Sequence, residues 1–61
     1  MDRKRKLIQI EGVIEFIGEA CSILEVLGDL EEDKELKLRF RSITSWLKGE
    51  KERLEEIKED I

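Results

Sequence analysis

Sixty-one residues with sixteen acidic and twelve basic side chains, net charge −4, make one small domain at most. A chain this short buries only about 60% of the surface its unfolded form exposes. Histidine is absent and Cys21 is the lone cysteine, which excludes an internal disulfide and a thiolate or imidazole zinc cluster.

Oligomerisation is the remaining way for so short a chain to complete a core. Proline and asparagine are absent, and the apolar residues are mainly Ile, Leu and Val, a helix-forming composition. Abundant Glu, Lys and Arg with little Asn or Gln also fit a heat-adapted source. No apolar run approaches the roughly 18 residues of a membrane span. The basic start, MDRKRK, leads into glutamates rather than the apolar core of a signal peptide. No membrane association and a cytoplasmic location are therefore expected.

The first predicted element is a helix over about residues 3–27. At about 100° per residue, Val13, Ile14, Phe16, Ile17, Ala20, Cys21, Ile23 and Leu24, with Ile10 and Leu27, fill an arc of about 180°. Glu11, Glu15, Glu19, Gly12 and Gly18 occupy the other side. Ile10, Val13, Ile17, Ala20, Leu24 and Leu27 alternate spacings of three and four, the period of a left-handed seam. One partner helix cannot cover so broad an arc, so those first eight residues are the predicted oligomer interface. Gly12 and Gly18, at the margins of the polar arc, are expected to let a neighbouring helix approach closely.

Gly28-Asp29 is the predicted turn. Glycine favours the position past a helix end, and Asp29 with Glu32 has the spacing of a capping box. The second helix is predicted over about 30–60. Its stripe is Leu36, Phe40, Ile43, Leu47, Glu50, Leu54, Ile57 and Ile61, with Trp46 at the edge. That phase survives across Gly49, which favours one continuous helix. Glu50 interrupts the stripe and is expected either to set register or to meet Arg53. A short turn makes the helices antiparallel neighbours, with Leu24 near Phe40 and Ile17 near Leu47, and leaves Leu30 to plug the hairpin end.

The fold class expected is all-α: a single domain, residues 1–61, forming an antiparallel two-helix hairpin. Two hairpins joined with their first helices in the middle would make a homodimeric four-helix bundle. The architecture is analogous to the hairpin dimers of plasmid copy-number regulators, an analogy of fold alone.

Charge is arranged in blocks. From Leu7 to Asp33 there are eight acids and no base, and from Leu36 to Gly49 the bases Lys37, Arg39, Arg41 and Lys48 and no acid. Opposed in a hairpin, these blocks favour one register. Arg3 to Lys6 would likewise meet Glu55, Glu56, Glu59 and Asp60. The string Leu27-Gly28-Asp29-Leu30 is similar to a short piece of the all-helical nucleotide pyrophosphohydrolase motif, which would imply magnesium on helical carboxylates. Here, however, the glutamate comb is expected to face solvent, without groups to fix a metal.

No nucleophile has a base beside it and no glycine-rich phosphate loop is present. The expectation is a non-enzymatic protein-protein interaction module without cofactor or metal, a homodimer acting as a small regulator or scaffold with a further protein partner. Its size suits a viral or plasmid protein. The alternative is a nucleic-acid binder using a basic ribbon on the second helix: Lys37, Arg41, Thr44, Lys48 and Lys51. The two separate on exposure: nucleic-acid binding requires the four bases to be exposed and continuous, protein docking an uncovered apolar patch around Leu38 or Trp46.

Overall fold

The computed structural model describes residues 2–61 as two α-helices, α1 (Asp2–Leu30) and α2 (Lys34–Asp60), joined by Glu31, Glu32 and Asp33. They pack as an antiparallel hairpin about 49 Å long, with Cα extents of 14 and 10 Å across. Neither helix is long and apolar enough to cross a membrane. Helix α2 runs unbroken through Gly49.

The turn lies later than the predicted 28–29. Gly28 is helical and buried, and no described glycine has a positive φ. The aspartate that starts α2 is Asp33, in extended backbone, and its Oδ1 accepts from the amides of Glu35 (2.8 Å) and Leu36 (3.2 Å). Such a cap contributes about 1 kcal/mol by satisfying donors that the first turn of a helix leaves open. The Glu31 carboxylate in turn accepts from the Asp33 amide at 3.1 Å, fixing the loop. Asp29, left inside α1, caps nothing.

Gly28 is instead a packing residue. A Cβ built on it would lie 3.3 Å from the Phe40 Cβ, so the missing side chain is what admits the ring. Close approach was expected at Gly12 and Gly18, but a Cβ on Gly12 would meet nothing within 4 Å and one on Gly18 only the Lys51 ammonium at 3.7 Å.

Exposure along the chain reveals the seam. Leu7, Ile10, Ile14, Ile17, Cys21, Leu24 and Gly28 of α1 are buried or half-buried, and so are Lys37, Phe40, Thr44, Leu47, Lys51, Leu54, Lys58 and Ile61 of α2. Both rows alternate three and four, as two helices in coiled-coil contact require. The predicted rows run beside these, since Val13 and Leu27 on α1 and Leu36, Ile43 and Ile57 on α2 are exposed. Phe40 therefore faces Gly28 rather than Leu24, one turn further along. Cys21 reaches the Thr44 carbonyl at 3.9 Å, and Thr44 donates to the Phe40 carbonyl at 2.8 Å.

The seam is thin. Cys21 and Thr44 are each 6% exposed, and no large side chain is fully buried among the described residues. In the seam row of α2 every seventh position is polar: Lys37, Lys51 and Lys58 are half-buried, with methylene stems along α1 and ammonium heads toward water, and Thr44 is buried with its hydroxyl donating to the Phe40 carbonyl.

Candidate interaction face

Between helices in antiparallel contact, the positions just before each a position of the heptad flank the seam on one common side. Here those are Val13, Ala20 and Leu27 on α1 and Leu36, Ile43, Glu50 and Ile57 on α2. Beyond them on the same side come Phe16, Ile23 and Leu30 on α1 and Arg39, Trp46 and Arg53 on α2. Of the twelve large apolar side chains left exposed among the described residues, all but Ile8, Val26 and Leu38 fall here. Phe16 is 71% exposed, Trp46 65% and Leu30 74%. Leu30 therefore belongs to this face and does not plug the tip.

Helix α1 thus carries two complete seams. One holds α2, and the second, Val13, Phe16, Ala20, Ile23, Leu27 and Leu30, has the same three-four spacing and is exposed in the hairpin at every position but Ala20, which is half-buried. Of the eight residues predicted to form the oligomer interface, Val13, Phe16, Ala20 and Ile23 lie on this face, whereas Ile14, Ile17, Cys21 and Leu24 face α2. Leu27, Leu30, Leu36, Ile43 and Ile57 join the face without having been named for an interface, and Trp46, one of the two places expected for an exposed patch, lies on it, whereas Leu38, the other, lies off it. Glu50, half-buried, is 3.6 Å from Arg53, the neighbour expected for it, within an otherwise apolar row.

The opposite side of the hairpin is charged. Lys48 pairs with Glu25 at 2.9 Å and Lys58 with Glu11 at 3.0 Å, both between helices. Glu25 raises the Lys48 ammonium above its ordinary pKa, chiefly through their hydrogen bond and then through its charge. An open cleft of about 410 Å³ lies beside Gly28, bounded by Glu25, Asp29, Arg41 and Lys48 around Thr44. Acids and bases alternate on its rim, so it favours neither sign of ligand. No buried side-chain polar atom is left unpartnered among the described residues.

The predicted basic ribbon is divided by this geometry. Thr44 is buried, Lys37 and Lys51 are half-buried in the seam, and only Arg41 and Lys48 are exposed, the latter paired with Glu25. Of the glutamate comb, Glu11 pairs with Lys58, while Glu15 and Glu19 face solvent in no ion pair. Arg39 pairs with Glu35 on its own helix at 3.8 Å. The ends meet through the Arg3 guanidinium, which donates to the Ile61 carbonyl rather than to the acids expected beside it.

Comparison of the chain with protein-family models, curated proteins and solved structures finds no match.

Proposed function

We propose that this hairpin is a non-catalytic protein-interaction module of the cytoplasm, a small regulator or scaffold that works as a homodimeric four-helix bundle. The observation that carries the reading is the one-sided apolar face. Monomers rarely expose contiguous apolar patches larger than a few hundred Å², and larger ones mark association surfaces.

Surface area supports the same reading. The hairpin exposes 5226 Å². A compact monomer of its mass exposes about 4,100 Å². The excess, about 1,100 Å² per chain, exceeds the roughly 800 Å² that each partner buries in a standard interface. In direction, too, the α2 stripe fits. The row Leu36, Phe40, Ile43, Leu47, Glu50, Leu54, Ile57 and Ile61 points between α1 and the open face, as a helix with two bundle neighbours requires. A helix with one neighbour would aim its stripe straight at it.

The nucleic-acid alternative has less behind it, because three of the five ribbon residues, Lys37, Thr44 and Lys51, are committed to the seam. Sedimentation equilibrium and thermal melts at several protein concentrations test the proposal. The expected results are a dimer mass and a melting temperature that rises with concentration. A concentration-independent monomer would overturn the dimer. Tight, salt-sensitive binding of generic RNA or duplex DNA would promote the alternative.

A further inference from the structure

Resting on that homodimer reading, we propose that α1 of each protomer stacks on α2 of the second copy, about a two-fold axis parallel to the helices, with Trp46 of one chain seated over Ala20 of the other. Two open faces can meet about a two-fold axis in two ways. An axis perpendicular to the helices lays α1 on α1 and α2 on α2. A parallel axis lays α1 on α2, and the two α1 helices then lie diagonally across the bundle.

Register favours the parallel axis. Such an axis moves nothing along the helices, so the level of each α1 residue against the second α2 is already fixed inside the hairpin. The Gly28–Phe40 contact sets that level. Carried along at 1.5 Å per residue, it brings Leu30 to Leu36, Ile23 to Ile43 and Ala20 to Trp46 of the second copy, each within about 3 Å along the axis. The largest exposed ring thereby meets the smallest side chain in the exposed seam of α1, as knobs-into-holes packing requires. The perpendicular axis has no such constraint, and its registers that fill the α1 row set Ala20 against Ile23 and leave Trp46 near its own copy.

The test uses the unmodified protein, mixed from isotope-labelled and unlabelled chains, with NMR restricted to contacts between chains. Contacts from the Ala20 methyl to the Trp46 indole of the other chain are expected. Interchain contacts of Ala20 with Ile23, and of Trp46 with Trp46, overturn the arrangement while leaving the dimer intact. A monomer in the sedimentation run overturns the homodimer reading itself, and this inference with it. As a second arm, Ala20→Leu should weaken the dimer at least tenfold, and adding Trp46→Ala should recover most of that loss. Failure of the second substitution to recover affinity overturns the seating of Trp46.

Discussion

On α2, the face left open is as apolar as the seam covered by α1. The seam sets Lys37, Thr44, Lys51 and Lys58 between Phe40, Leu47, Leu54 and Ile61, and the open face sets Arg39, Glu50 and Arg53 between Leu36, Ile43, Trp46 and Ile57. In a self-sufficient fold the covered row is the more apolar of the two, because burying apolar area stabilises by about 25 cal/mol per Å² and burying amines does not. In the proposed dimer the hairpin is half of a core. The seam sets how the two helices lie together, and the open face holds most of the unspent apolar surface.

The sharpest way to break that contrast is to truncate the face. Phe16→Ala removes a ring that is 71% exposed in the hairpin, where the loss would be close to neutral. In the bundle the same change should cost about 3–5 kcal/mol, as for a buried ring, read by chemical denaturation at fixed protein concentration. A change below about 0.5 kcal/mol would return the face to ordinary surface.

The glycines sharpen the comparison on a smaller scale. Gly12→Ala, with nothing within 4 Å of the new methyl, should stabilise by about 0.8–1 kcal/mol through helix propensity alone. Gly28→Ala gains the same propensity but presses on the Phe40 Cβ at 3.3 Å, and should fall short of the Gly12 gain in the same denaturation series. Equal gains would show that the seam is looser than the Gly28–Phe40 contact implies.

The smallest effect is expected on the charged side. Lys48→Met removes an exposed partner of Glu25 and should lower the melting temperature by less than Gly12→Ala raises it. Because folding raises the Lys48 pKa, its contribution is fully present below the ordinary lysine value and is lost as pH rises through the raised one. The difference between wild type and Lys48→Met should thus vanish in strongly alkaline buffer, and it should shrink in high salt.

The two helices were legible in the sequence because apolar residues recur at helical spacing and turn formers cluster between them. The turn itself was misplaced by imitation. Gly28, Asp29 and Glu32 have the spacing of a helix stop followed by a capping box, whereas Asp33 precedes Leu36 and has no glutamate at the reciprocal position. Nothing local distinguishes a glycine that ends a helix from one that admits Phe40.

The division of the apolar arc was hidden for a related reason. On α1, seam and face are both apolar, so periodicity marks their union and not the boundary between them. On α2 the pattern follows the most apolar row, which bisects the two neighbours. A signal for the seam was nonetheless present: Lys37, Thr44, Lys51 and Lys58 recur every seven residues, a row of amphipathic stems beside Phe40, Leu47 and Leu54. As a basic ribbon that recurrence points outward, and as a seam it points in.

The three-residue connection also orders events in time. Loop closure costs more entropy as the closed segment lengthens, by about 0.6 kcal/mol for each doubling. Phe40 lies twelve residues beyond Gly28, and their layer sits next to the Asp33 cap that starts α2. Arg3 and Ile61, by contrast, are separated by 58 residues. Closing the tip first is the cheaper order, so amide hydrogen exchange is expected to be fastest at the two chain ends.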